Sequence, residues 1–136
     1  TIEKFYKNKN IDDIVVVVKE DEAEFFKKEI LDKYKFKNIK LAYGGKERQD
    51  SVNNALEQII DDEIVLIHDG ARPFVSQRII DEGIKYARLY GASAPGVMPK
   101  DTIKIKNDEN FSLSTPDRNT LVAIQTPQVF KFNIKN

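Results

Sequence analysis

Cysteine is absent from this chain of 136 residues, histidine occurs once, and the charges cancel. Without cysteine there are no disulfides and no thiolate-held metals. A single histidine leaves no paired-histidine metal motif. Lys and Arg together number 22, as do Asp and Glu, and this balance argues against a nucleic-acid binder that works through a bulk basic surface. No apolar run approaches the roughly 18 residues that a membrane helix needs, and no signal-peptide pattern precedes the first expected strand. A cytoplasmic protein without a membrane partner is therefore expected. A Gly-x-Ser-x-Gly elbow and a Walker-type loop are missing too, which leaves hydrolase and P-loop readings with little support.

What is present suits one domain with a real core: 40% of the residues are hydrophobic, and residues 1–136 read as a single unit without linker or repeat. Two short apolar runs, Ile14–Val18 and Ile64–Ile67, read as strands buried on both faces, as in a parallel sheet. Asn38–Tyr43 reads as a third strand, ended by Gly44-Gly45. Between these lie helical patterns. One carries Ala23, Phe26, Ile30 and Leu31, and the next carries Val52, Ala55, Leu56, Ile59 and Ile60. After Pro73 comes a helix with Ile79, Ile80, Ile84 and Ala87, closed by Gly91. The chain opens in helix, at Thr1–Tyr6. This alternation predicts an α/β fold with a doubly wound, mostly parallel, Rossmann-like sheet.

From Ala94 onward the texture changes. Ile103 and Ile105 alternate with lysines, and a polar turn follows at Asn107–Asn110. A protruding β-hairpin arm over about residues 98–120 is predicted. A two-stranded hairpin cannot bury both faces alone, so the arm is expected to pack against a partner chain. Thr126–Phe130 reads as a last short strand or loop returning to the sheet edge.

Three clusters have chemical potential. In Gly44–Ser51 the glycines allow close backbone approach to a ligand at a helix N-terminus, or Asp50 or Ser51 simply caps the helix. Asp69, just past a buried strand, is placed to hold a divalent cation together with substrate phosphate, or to form an Asx turn or a cap. Its neighbour His68 reads as structural. Arg72 suits a bidentate grip on phosphate or carboxylate, or a bridge to an acidic neighbour. Thr102, Arg118 and Thr126 add hydroxyl and cationic phosphate ligands, none of them a general base.

In order and at about the family's spacing, five segments resemble 2-C-methyl-D-erythritol 4-phosphate cytidylyltransferases. They are Gly44–Val52, His68–Phe74, Lys100–Lys104, Thr115–Asn119 and Gln125–Phe130. The resemblance implies transfer of CMP from CTP to methylerythritol phosphate with release of pyrophosphate, in non-mevalonate isoprenoid synthesis, with magnesium. It implies that Gly45 and Ser51 contact cytosine and that Lys46 faces the base with its backbone. Asp69 and Gly70 would meet the ribose and the metal-bound phosphate, with Asp69 as metal ligand. Arg72, Thr102, Arg118 and Thr126 would line the pocket for the acceptor phosphate and polyol. It also implies a homodimer in which the arm embraces the neighbouring subunit.

The pattern departs from the family at both ends. The glycine-rich loop with an arginine and a lysine that grips the triphosphate is missing, as are the last helix and a lysine near the acceptor. A fragment of a full enzyme and a naturally short relative both fit this. Little or no transferase activity is expected of these 136 residues alone. Two rivals are a ribitol 5-phosphate cytidylyltransferase, which shares the Asp-x-x-Arg-Pro pattern, and a catalytically dead nucleotide-binding or assembly module.

Overall fold

A computed structural model describes residues 1–59 and 63–132. Its elements follow the expected alternation. Helix α1 (Ile2–Tyr6) leads to strand β1 (Ile14–Val18), and helix α2 (Ala23–Phe26) continues as a π-helical turn, Lys27–Asp32, into β2 (Ile39–Tyr43). Helix α3 (Arg48–Leu56), strand β3 (Ile64–Ile67) and helix α4 (Gln77–Tyr90) come next. The remainder is β4 (Ala92–Ser93), β5 (Gly96–Val97), β6 (Ile105–Lys106), β7 (Ser112–Ser114), β8 (Ala123–Ile124) and β9 (Gln128–Lys131). The fold class is α/β.

Local chemistry explains the boundaries. Asn38 has φ 59°, a left-handed conformation that Asn tolerates, so β2 begins one residue later than the apolar pattern suggests. Helix α3 stops at Leu56, where Gln58 and Ile59 donate to carbonyls three residues back and tighten the chain into a turn. Ile60, which the helical periodicity includes, lies outside the described residues. The hydroxyl oxygen of Ser76 caps α4 by accepting from the Ile79 N–H at 3.3 Å, and Gly91 closes that helix at φ 91°.

Strands β1 and β2 pair in parallel, Ile14 beside Ile39 through Val18 beside Tyr43. The second sheet has the order β3-β9-β4, with β9 antiparallel to both neighbours. Thus the Thr126–Phe130 segment supplies a central strand rather than an edge. Val129 is fully enclosed there, beneath α4. The partner of β3 is antiparallel, so parallel pairing is found at β1 and β2. Neither apolar run is sealed on both sides. Among the described residues each of β1 and β3 has one paired edge, and a cleft of about 1380 Å³ is lined by both strands and by α1 and α3. Only Val65 of the two runs is buried.

The core lies under α4. Val75, Ile80 and Ile84 are buried there, with Phe5, Ile11, Ile64, Leu66 and Ile79 packed around them. Burying a side chain such as Ile80 contributes about 1.5–3 kcal/mol. A polar clamp ties α1 to this unit. The buried Asn8 amide donates to Gln77 Oε1 at 2.6 Å and Asp81 Oδ1 at 2.9 Å, and the Asn10 amide donates to the same Asp81 oxygen. These bonds hold the Asp81 carboxyl below the usual carboxylate range, the Asn8 bond foremost.

Past β4 the chain leaves the body as a two-part ladder. Strands β5 and β8 pair antiparallel at its base, and β6 and β7 at its tip. The Asn107 side chain shapes the turn between β6 and β7 by accepting from the N–H groups of Glu109 and Phe111. Ile103, Ile105, Phe111 and Leu113 are exposed along this arm.

Candidate functional site

The chain leaves β2 and β3 at their carboxyl ends, where ligands bind in open α/β sheets, and a hydrogen bond from Arg48 to Asp69 joins the two loop regions. The first loop, Gly44–Glu47, turns from β2 into α3. A Cβ on Gly45 would sit 2.2 Å from the Cβ of Asp50, so only glycine fits. The Ser51 hydroxyl accepts from the Gly45 N–H at 3.0 Å and donates to the Glu47 carbonyl at 3.2 Å. Asp50 reaches back to accept from the Glu47 N–H at 3.1 Å. The helix therefore starts at Arg48 with Glu47 as its cap residue. Ser51 and Asp50 act from inside the helix to set the shape of the glycine loop. Lys46 is exposed at its crest.

The second loop, His68–Arg72, is organised by a directional set of hydrogen bonds. His68 Nε2 lies 3.0 Å from the Arg72 carbonyl, which can only accept, so Nε2 carries the proton. Nδ1 is then an acceptor for the Thr126 hydroxyl at 3.1 Å, and that oxygen in turn accepts from the Asp69 N–H at 3.2 Å. Partial burial pushes the His68 pKa below its ordinary value, favouring this neutral tautomer, against a smaller raising effect of the bond to Arg72. The Phe5 ring packs on the imidazole at 4.8 Å. His68 is thus a structural linker, as its place at a strand end suggests.

Asp69 stands between two arginines. Arg72 Nε donates to its Oδ2 at 3.0 Å, and Arg48 Nη2, from the first turn of α3, donates to Oδ1 at 3.4 Å. Both bonds lower the carboxyl pKa, that of Arg72 most. Gly70 faces open space, since a Cβ there would meet nothing within 4 Å, and its carbonyl accepts from the Thr1 hydroxyl at 2.6 Å.

The candidate residues fall into two groups. Gly45, Lys46, Ser51, Asp69, Gly70, Arg72 and Thr126 lie by the ends of β2, β3 and β9. Thr102 and Arg118 lie apart, on the exposed arm, where Arg118 Nη1 donates to the Lys100 carbonyl at 3.0 Å. No described hydrogen bond joins them to Asp69 within one chain. Arg48 escaped sequence reasoning. The only signal for it is a cationic side chain on the first turn of a helix that follows two glycines. Among the described residues no group of three His, Cys, Asp or Glu side chains gathers to hold a metal ion. No described helix is long and apolar enough to cross a membrane.

Solved structures share this architecture. A 4-diphosphocytidyl-2C-methyl-D-erythritol synthase from Anaerococcus prevotii superposes with a TM-score of 0.87 at 36% identity, over 96% of this chain and 57% of that one. The fold is therefore of the class of the α/β domain seen in these synthases. Residues 1–135 match the family model of 2-C-methyl-D-erythritol 4-phosphate cytidylyltransferase, and the chain belongs to that family. A member from Clostridium perfringens is 60% identical over 98% of this chain, and one from Clostridioides difficile is 56% identical over 98%. The chain spans 60% and 56% of the lengths of these two relatives.

Proposed function

We propose that this chain carries the cytidine-binding and acceptor-facing part of an enzyme that moves CMP from CTP to 2-C-methyl-D-erythritol 4-phosphate, releasing pyrophosphate in non-mevalonate isoprenoid synthesis. The observation that carries the reading is the bridge between the two loops. Arg48, just past the glycine loop, reaches across to Asp69, which Arg72 holds from within its own loop. Cytosine would lie against Gly45, Lys46 and Ser51, the ribose beside Gly70, and the phosphates near Asp69.

The acceptor phosphate is already an anion, so no strong general base is needed. One of its oxygens forms a bond to the α-phosphorus of CTP, the bond from that phosphorus to the bridging oxygen breaks, and pyrophosphate leaves with the electron pair. The barrier is then one of bringing two polyanions together and neutralising charge on the transferred group. Arg72 and, from the arm, Thr102 and Arg118 are suited to hold the acceptor. The Thr126 hydroxyl already serves His68 and Asp69, so its part is to fix the loop while one oxygen lone pair stays free.

Magnesium is the metal in this proposal. A partly exposed carboxylate suits a cation that brings its remaining ligands as phosphate oxygens and water, and each Asp69 oxygen keeps a lone pair beyond the one bond it accepts from an arginine. When bound, the ion would neutralise charge on the phosphates. Because Thr102 and Arg118 lie on an exposed arm, the complete site is proposed to form across a cytoplasmic homodimer.

The test is a pyrophosphate-release assay with CTP, methylerythritol phosphate and magnesium, run beside calorimetric titration with CTP. These 136 residues are expected to bind the nucleotide with little or no turnover. Asp69→Asn in a complete polypeptide carrying this sequence should abolish transfer and leave the fold intact. Turnover of ribitol 5-phosphate in place of methylerythritol phosphate, or no cytidine-nucleotide binding, would overturn the reading.

A further inference from the structure

We propose that Arg48 is a nucleotide-phosphate contact: tethered to Asp69 by one N–H, it turns its remaining donors to the phosphate chain of the bound cytidine nucleotide. This rests on the functional reading above, in which the base lies against the glycine loop. Four observations carry it.

The first is position. Arg48 opens α3 immediately after the loop Gly44–Glu47, yet its guanidinium reaches the end of β3. A residue that spans the two loops stands where a nucleotide lying across them would pass its phosphates. The second is donor supply. A guanidinium carries five N–H groups, and among the described residues that of Arg48 spends only one, in a 3.4 Å bond. The rest are available to an anion.

The third is the side on which it stands. Arg48 lines the cleft between β1 and β3 together with Ser51, Asp69 and Gly70, whereas Arg72 does not line it. Asp69 therefore stands between an arginine that faces the cleft, beside Ser51 and Gly70, and one that does not. Two cations on one carboxylate leave a net positive charge, which suits an incoming phosphate.

The fourth is energetic. The side chains of Arg48 and Asp69 are 61% and 38% exposed, and ion pairs so open to solvent contribute about 0–1 kcal/mol. Stability gives little reason for this arginine. For the same reason, replacing it leaves a folded protein to measure.

The experiment is calorimetric titration of the chain, and of its Arg48→Gln and Arg48→Lys variants, with CTP and with cytidine. Circular dichroism establishes that each variant is folded. Arg48→Gln should weaken CTP binding about tenfold, equivalent to ~1.4 kcal/mol, and leave cytidine affinity unchanged. Arg48→Lys keeps the charge but not the fork, so it should recover part of the loss. Unchanged CTP affinity in Arg48→Gln would overturn the proposal while the cytidylyltransferase reading stands. Equal losses for CTP and cytidine would overturn it as well, because they mark a role in loop shape alone. If the unsubstituted chain binds neither compound, the site reading itself fails, and this inference with it.

Discussion

The Thr126 hydroxyl lies 3.1 Å from His68 Nδ1 and joins two loops that are 58 residues apart in sequence. It donates to the imidazole and accepts from the Asp69 N–H, so one side chain of the returning chain fixes the geometry of the β3 loop. Replacing it with an isosteric apolar residue leaves the imidazole nitrogen and the Asp69 N–H without their partner. Thr126→Val should therefore cost about 1–3 kcal/mol of stability, nearer the lower figure because the site is only part-buried. Thr126→Ser should restore most of it. Urea denaturation of the three proteins measures this, and equal midpoints would refute the linking role.

His68 gives the chain a defined pH response. Its folded-state pKa lies below the ordinary 6.5, so the native protein binds fewer protons than the unfolded one. The stability contributed by neutral His68 is fully present above about pH 6.5 and is lost as pH falls through the lowered folded value. His68→Gln should flatten this part of the stability profile. Asp69 acts in a separate window, since its contribution declines only below its ordinary 3.8. Thermal melts across pH 5 to 7.5 test the assignment, and an unchanged slope in His68→Gln would exclude it.

Two glycines of the site should respond oppositely to alanine. At Gly45 a methyl group collides with Asp50, so Gly45→Ala should cost about 1–3 kcal/mol and disturb the α3 start. At Gly70 a methyl group meets nothing within 4 Å, so Gly70→Ala should change stability by less than about 0.5 kcal/mol. If the open space there receives ribose, Gly70→Ala should still weaken cytidine binding. A stable variant with full affinity would remove the ribose from that position.

The arm offers a separable test of the proposed dimer. Ile105 and Leu113 are 50% and 64% exposed on strands that, among the described residues, pair only with each other, β6 with β7. A paired substitution, Ile105→Glu with Leu113→Glu, should convert a dimer to a monomer in light scattering and leave the melting of the α4 core unchanged. An arm that does not mediate association would leave the molar mass of the two proteins the same.

Much of this was open to inspection in the chain alone. The runs Ile14–Val18 and Ile64–Ile67, the spacing of Ile79, Ile80, Ile84 and Ala87, and the polar turn at Asn107–Asn110 fix strands, helix and hairpin through side-chain periodicity and turn chemistry. These are local properties, set by neighbours a few residues away. The clustering of residue types at Gly44–Ser51 and His68–Arg72 likewise marks where chemistry can occur.

What the sequence could not decide is which distant groups meet. Pairing of β9 between β3 and β4, the Thr126–His68 bond and the reach of Arg48 to Asp69 depend on how strands separated by dozens of residues come into register. Hydrophobic pattern carries no information about that, because any apolar strand satisfies burial equally well. Only the tertiary structure, by bringing the first turn of α3 within reach of the β3 loop, made the α3 arginine a second hand on Asp69.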